Sequence, residues 1–511
     1  MGRNILFITT DQQRFDALGC TGGRVARTPV VDALAAEGLN YRRAHNQNVV
    51  CMPARSTMVT GQYVRTHGCW MNGVPLPEDS PSVATYLSQN GYDTALLGKA
   101  HFEPAFDPKG RWSEGRMARE GSTGPYRGFD HVELVMHGPV GFGHYPKFMR
   151  EQHPDDIAGF YAQVYFDAEG QLCVNHAGGG DTGAIQVKRN PVSRDLYHTD
   201  WVADRTVAYL DGLADDSDFF VWMSFPDPHH PWDPPQSEIG RVEWRDLDLP
   251  AGYPGSPDAC RRILEKKPHH WLDWYEGRGD INVEAPTQFV PAAVEPDQIR
   301  EINALTHVEN ELIDEACGRV IDRIRERGWL EETDVFFTSD HGEFQGDFGL
   351  LFKGPYHVDA LMRVPLIWRP ARSAAIAPAE IEEPVGHVDL ASTFCEIAGL
   401  PTPDFNQGRP LPTTPGSDHE QVLTEWDCDH RGTTTHIRSI FRDGFLCSAY
   451  EKSSLYDGTE GELYDLANDP HQFENLWDEP SRRALRDEMV AALYASLPPM
   501  PESWPAWESP V

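Results

Sequence analysis

The stretch NILFITTD, residues 4–11, decides how this chain is read. Four consecutive apolar residues and two threonines run without alternation into Asp11-Gln12. That is the pattern of a strand buried on both faces, as in parallel sheets. The same pattern, a short apolar run closing on polar residues, recurs in DTALLGK (93–99), DFFVWMSFPD (218–227) and DVFFTSDHG (334–342). Helical spacing lies between these runs. Residues 29–38 begin at Pro29 and stop at Gly38, and residues 82–89 follow Pro81 and end at Asn90-Gly91. From Glu301 to Arg327, Ile302, Leu305, Val308, Leu312, Ala316, Val320 and Ile324 share one face. Strands alternating with helices predict an open α/β sheet covered by helices on both sides.

Outward from that frame the pattern weakens. Residues 104–195 and 228–297 are rich in Gly, Pro, Trp and charge, and are read as insertions around the mouth of a site. Their Trp112, Trp232, Trp271 and Trp274 are read as packing residues, with an apolar or sugar-binding wall as the alternative. After residue 412 the rhythm changes. HIRSIFRDGFLCSAY (436–450) predicts a hairpin turning at Asp443-Gly444, and a helix follows from Pro480 to Leu497. The chain divides on this reading into a catalytic α/β domain, 1–411, and a smaller α+β subdomain, 412–511, of antiparallel strands on a helix. The tail PPMPESWPAWESPV (498–511) reads as an extended arm reaching a neighbouring copy in a homo-oligomer.

Composition narrows the function classes. The 511 residues carry a formal net charge of -35, a surface that repels nucleic acid and anionic membranes. No apolar run approaches the roughly 20 residues of a membrane span, and the N-terminus lacks the apolar core and cleavage site of a signal peptide. Nine cysteines stand singly, without CxxC spacing. A cytoplasmic protein is the expectation.

In open α/β sheets, ligands bind beyond the carboxyl ends of the strands. The four runs end in Asp11-Gln12, in Lys99-Ala100-His101, in Asp227-Pro228-His229-His230 and in Asp340-His341. Two carboxylates, an amide and an imidazole suit a divalent cation. Oxygen donors favour calcium, magnesium or manganese, and the imidazole leaves manganese or zinc open. DGTEGELYD (457–465) lacks EF-hand spacing and reads as a solvated acidic loop. The adjacent pairs His229-His230 and His269-His270 cannot both point one way on a strand, which makes them weak metal signals. Cys51, in NVVCMPARSTMVTGQ (48–62), precedes Pro53 and a helix stopping at Gly61. It stands at a helix N-terminus, where a thiolate or a bound oxyanion is stabilised. A packed small side chain, a metal ligand and a thiol nucleophile with His45 or His67 as base all remain open for it.

The segment Cys51-Met52-Pro53-Ala54-Arg55 with Thr60-Gly61 resembles the C-x-P-[SA]-R…TG signature of the sulfatases, members of the alkaline-phosphatase-like superfamily. The resemblance extends to Asn4–Asp11, to Thr28-Pro29 with Leu34–Gly38, to Gly98-Lys99-Ala100-His101, to Ser339–Glu343, and to Glu462–Leu466 with Asp469-Pro470. It implies a large mixed, mostly parallel sheet sandwiched by helices. It also implies that a formylglycine-generating enzyme oxidises Cys51 to formylglycine (3-oxoalanine). The hydrated aldehyde then attacks a sulfate ester through one hydroxyl, and its second hydroxyl collapses the covalent sulfated hemiacetal. By position, Asp11, Gln12, Cys51, Asp340 and His341 would hold one divalent ion, calcium or manganese. Arg55 would orient the diol, and Lys99 and His101 would serve the second hydroxyl, His101 as its base. His229 and Lys353 would bind substrate oxygens and protonate the leaving group, with Asn72 as a further substrate contact.

Two positions depart from the family pattern. Gln12 stands where most sulfatases have a second Asp, and His341 where they have Asn. Two anionic ligands instead of three suit a monoanion: a sulfate monoester first, and a phosphonate monoester or phosphodiester as the alternative. A phosphatase-like relative with an unmodified Cys51 would need a second metal cluster, which the sequence does not supply. A catalytically dead binding protein would not need every catalytic position filled.

Overall fold

The structure is a computed structural model and describes residues 2–105, 107, 110–139, 141–166, 172–279, 281–286, 288–430 and 432–508. Its main sheet has eight strands: β1 (Asn4–Thr10), β2 (Leu39–Tyr41), β3 (Asp93–Gly98), β4 (His131–Leu134), β5 (Phe219–Ser224), β6 (Thr333–Ser339), β7 (Leu366–Arg369) and β8 (Ala379–Ile381). Their spatial order is β8-β2-β7-β6-β1-β5-β3-β4. Only β7 runs against its neighbours.

The central strand β1 pairs in parallel with β5 on one side and β6 on the other. Its alternate residues enter two cores. Ile5 and Phe7 join Trp222, Phe336 and Phe394 on one face, and Leu6 and Ile8 join Val221, Phe337 and Leu312 on the other. Both faces are dry, which is why the strand reads as a continuous apolar run. Each buried Phe or Leu contributes about 1.5–3 kcal/mol to that packing.

Helix α1 (Pro29–Glu37) and the 31-residue helix Pro296–Glu326 cover the second face. The long helix starts five residues before the predicted Glu301. A capping box between Glu295 and Gln298, with Pro296 behind it, fixes that start.

Segment 104–195 is not wholly an insertion, because β4 lies within it at the sheet edge. In β4 only alternate residues are buried, so it lacks the continuous apolar signal of the inner strands. Trp232, Trp271 and Trp274 are buried in packed cores.

The C-terminal sheet is antiparallel, in the order β9 (Gln421–His430), β10 (Thr433–Arg442), β11 (Phe445–Tyr450) and β12 (Gly461–Asp465). Asp443 and Gly444 form the predicted turn, both at positive φ (52° and 79°). Met489 and Leu493 of the helix Arg483–Ser496 pack on Leu423, Ile440 and Leu463. The second half of DGTEGELYD is therefore strand and not solvated loop. Glu462 is buried and accepts from the Tyr450 hydroxyl at 2.6 Å. Its acid character hid a strand whose carboxylate is satisfied by phenols.

The tail turns back on its own chain instead of extending away. Trp70 Nε1 donates to the Pro505 carbonyl at 2.9 Å, Trp507 Nε1 donates to the Asn72 carbonyl at 3.1 Å, and the Glu508 N–H donates to Gly73 at 3.0 Å. Trp504 sits edge-on to Trp70, 6.1 Å between centroids. Two tryptophans find apolar cover there. Among the described residues, no helix is long and apolar enough to cross a membrane.

Candidate active site

Sheet register brings the strand ends together. Thr10 of β1 lies opposite Ser339 of β6, and Thr9 opposite Ser224 of β5. The Asp340 N–H then donates to Thr10, and the Asp11 N–H to Asp227. Ser224 in turn lies opposite Gly98 of β3. A Cβ on Gly98 would fall 1.7 Å from the Ser224 carbonyl, and its φ is +116°. Only glycine permits this turn, and the turn delivers Lys99 to the edge.

Helix α2 (Cys51–Thr60) enters that edge from above and is buried along its whole length. No side chain of Val50 caps it. Asn72 Oδ1 instead accepts from the Met52 N–H at 3.0 Å. Gly61, left-handed, ends the helix as the sequence predicts.

Cys51 thereby sits at the meeting point. Its Sγ lies 3.1 Å from His341 Nε2, 3.3 Å from Lys353 Nζ, 3.6 Å from Asp11 Oδ1 and 3.9 Å from Lys99 Nζ. One turn further on, Arg55 donates from Nε to Asp340 at 2.8 Å and from Nη2 to Asp11 at 3.3 Å. Its Nη1 donates to the Lys99 carbonyl and to Ser224 Oγ, both at 2.8 Å. Lys99 Nζ lies 2.5 Å from Asp11 Oδ2. Arg55, Lys99 and Lys353 thus face Asp11 and Asp340, three cations against two anions.

The electrostatics follow from burial and from these neighbours. Burial, then Asp11, push the Cys51 thiol up to about 12, against Lys353 and Lys99. The unmodified side chain is therefore a protonated thiol at neutral pH. Burial alone would raise the Asp11 carboxyl, but Lys99, Arg55 and Lys353 hold it well below the carboxylate range. Burial lowers His341 to about 4, and its Nδ1 faces the Gly342 carbonyl at 2.9 Å. That contact fixes the neutral tautomer with Nε2 unprotonated toward Cys51. Burial, then His230 and Lys353, hold His229 well below its usual value. Lys353 is kept charged because the surrounding negative groups outweigh its burial.

Asp11, Cys51, Asp340 and His341 each offer a ligand atom, all within 4.8 Å of one another. Carboxylate oxygens with one neutral imidazole fit a hard or borderline divalent ion. Gln12 is at the same edge, at φ +63°, a backbone position that non-glycine residues hold at a cost of about 1–3 kcal/mol. Its amide is engaged by neighbours: Oε1 accepts from Lys353 at 2.7 Å, and Nε2 donates to Glu343 and lies 3.1 Å from His230.

The other predicted residues are also here. His229 Nε2 is 2.9 Å from Lys353. His101 is held at φ +58°, and both of its ring nitrogens are buried without a hydrogen-bond partner. Asn72 donates from Nδ2 to Glu284 at 2.8 Å. His45 and His67 are not at the site. His45 packs on Phe441, and His67 bonds Thr57.

Sequence reasoning passed over His137, Ser224 and Glu284, and named His230 and Glu343 without giving either a role. His137 lies 2.8 Å from Lys99 and stacks on His229 at 4.1 Å. His229 and His230 share a loop and not a strand, so both rings reach the centre. Ser224 was legible as a strand end. His137 and Glu284 carry no local signal, because each arrives from a loop.

A family model described as Sulfatase matches residues 3–400, and one described as N-sulphoglucosamine sulphohydrolase, C-terminal, matches residues 346–497. The chain is 27% identical over 496 residues to an uncharacterised sulfatase, YidJ, of Escherichia coli K12, covering 96% of this chain and 86% of that protein. It is 28% identical to the multifunctional alkaline phosphatase superfamily protein PehA of Trinickia caryophylli, covering 96% and 94%. The fold is shared with the phosphonate monoester hydrolase of Agrobacterium radiobacter, at TM-score 0.77 and 22% identity over 97% and 95% of the two chains.

Proposed function

From the premise that the chain belongs to the sulfatase family and is a sulfuric ester hydrolase, we propose that it cleaves small monoanionic sulfate esters at residue 51, once a formylglycine-generating enzyme has oxidised Cys51. The observation that supports this is the convergence of three buried cations on a side chain that is a neutral thiol when unmodified. Such a thiol is a poor nucleophile. The surrounding charge belongs to an anion.

Asp11, Asp340 and His341, with residue 51 and Gln12, would hold one divalent ion, calcium or manganese. When bound it would supply the charge that activates a hydroxyl on residue 51. The hydrated aldehyde would supply that hydroxyl and a second one.

The chain's own groups do the rest. Arg55 locks Asp11 and Asp340 in position and sets a fixed positive charge one turn behind the reacting side chain. Lys353 holds an ester oxygen and, as the charged member of its pair with His229, delivers the proton to the leaving oxygen. His229 keeps the Lys353 ammonium aimed. His101, neutral and with no competing partner for either ring nitrogen, accepts the proton from the second hydroxyl, and Lys99 stabilises the charge that forms there. Asn72 Nδ2, which bonds Glu284 through one hydrogen, offers its second N–H to a remaining oxygen.

Mass spectrometry of the peptide spanning residue 51, alongside turnover of an aryl sulfate, tests this. The aldehyde is expected in the active protein. Full activity with only cysteine at that position would overturn the proposal. An aryl phosphonate monoester presents the same single negative charge as a sulfate monoester, so its turnover is also expected, at a lower rate than the sulfate.

A further inference from the structure

The loop that follows Trp274 returns to the site at Asn282. Asn282 Nδ2 donates to the Lys353 carbonyl at 2.7 Å, and the Glu284 N–H donates to Asn282 Oδ1 at 3.0 Å. Gly354, at φ +147°, leaves no room for a Cβ against that same Asn282 side chain. The loop is therefore pinned directly to the strap that carries Lys353. This pins the half-buried Glu284 beside the reaction centre, with one carboxylate oxygen bonded to Asn72 Nδ2. Lys353, Lys99 and Asp11 all act on it through space, and burial pushes its carboxyl upward.

A carboxylate here is costly. It is partly desolvated, and it weakens the field that attracts an anionic ester. Its structural duty, accepting from Asn72, needs no charge, since a glutamine carbonyl would accept equally well. Oε2 takes the Asn72 bond, and among the described residues Oε1 has no hydrogen-bond partner.

We propose that Glu284 is a specificity-determining residue. It reads a cationic or hydrogen-bond-donating group on the alcohol side of the ester, so the preferred substrates carry an ammonium or comparable donor near the sulfate. This rests on the sulfate-ester reading above and narrows its substrate class.

The test uses the metal-loaded, modified enzyme and three aryl sulfates: one bearing a trimethylammonium group, one uncharged, and one bearing a carboxylate. Turnover of the uncharged probe reports on the reaction class, and the cation-to-carboxylate ratio of kcat/KM reports on Glu284. The wild type is expected to favour the cationic probe over the carboxylate by about tenfold or more, a ratio that falls as salt is added. In Glu284→Gln the ratio is expected to collapse toward one, with the uncharged probe falling between the other two. Equal losses on all three probes would reduce Glu284 to orienting Asn72 and overturn the proposal. So would a wild-type ratio near one. If Glu284→Gln does not fold, the salt dependence of the wild-type ratio decides. If no sulfate is turned over, the same three charges on aryl phosphonate monoesters supply the ratio.

Discussion

Two buried clusters of charge lie in this molecule, and they are built differently. In the C-terminal sheet, Arg438 grips Asp427 with both η nitrogens, at 2.7 and 3.0 Å, and meets Glu451 at 3.0 Å. Arg65 donates to Glu425 at 2.6 Å, and His436 lies 2.7 Å from Asp427. Every cation there is spent on a carboxylate, in short and bidentate contacts. At the active edge, Lys353 and Lys99 instead approach a neutral thiol at 3.3 and 3.9 Å. Arg55 and Lys99 share the two carboxylates, and Lys353 bonds the Gln12 amide and lies beside His229 instead. Burial and composition are alike in the two places. The difference is satisfaction: the first cluster holds a sheet together, and the second keeps charge in reserve for something that is not part of the chain.

Substitutions can break that contrast. The largest effect is expected for Cys51→Ala, which removes the reacting group but no packing of consequence. Turnover of an aryl sulfate should fall by at least about 10⁴-fold, with Tm within a few degrees of wild type. Next comes Arg438→Met. Taking the bidentate partner from buried Asp427, which keeps only His436, should cost about 3–5 kcal/mol in a denaturant titration, while specific activity per folded molecule stays at the wild-type level. Lys353→Met should do the reverse. It should lower kcat/KM by about 10²–10³-fold and shift stability by no more than about 1 kcal/mol, because it discharges a surplus cation. A large stability loss there would show that the active cluster is as structural as the other one.

The smallest effect lies at acid pH. Burial raises the Asp427 carboxyl, but Arg438 and His436 outweigh it, and the folded value sits below the usual range. The unfolded chain, with a carboxyl near 3.9, binds more protons in the interval between the two values. Stability therefore rises with pH through it. The contribution is complete above about pH 5 and is lost as pH falls through the folded value. Arg438→Met should weaken this dependence, seen as a stability difference from wild type that narrows on acidification from pH 5.

The parts of the fold that were legible follow from periodicity. The inner strands β1, β3, β5 and β6 are dry on both faces, so each reads as a short apolar run closing on polar residues. The edge strand β4 and the acidic strand β12 were misread for the opposite reason. One is only half buried, and the other satisfies its carboxylate with two tyrosines, one on the neighbouring strand and one two residues along. The candidate site was legible where its residues close strands or begin a helix: Asp11, Lys99, His101, His229, Asp340, His341 and Cys51. Arg55, Lys353 and Asn72 came from the family resemblance. His137 and Glu284 were hidden because loops carry them, and a loop's destination is set by packing it does not itself encode. Trp504 and Trp507 read as reaching outward because an aromatic tail has no visible partner in sequence. Trp70 and the Asn72 backbone are that partner.

That closure sets a clock. Residue 51 is 1% exposed, so under the maturation proposed above the modifying enzyme would have to reach it before α2 is enclosed. The arm that seals Trp70–Gly73 is translated some 450 residues after residue 51, roughly 20–90 s later at typical elongation rates. During that time the mouth beside α2 lacks its last wall. On that proposal the fraction of chains that become competent would depend on timing as much as on affinity. Slowing synthesis downstream of residue 51 should raise it, and speeding release of the finished chain should lower it.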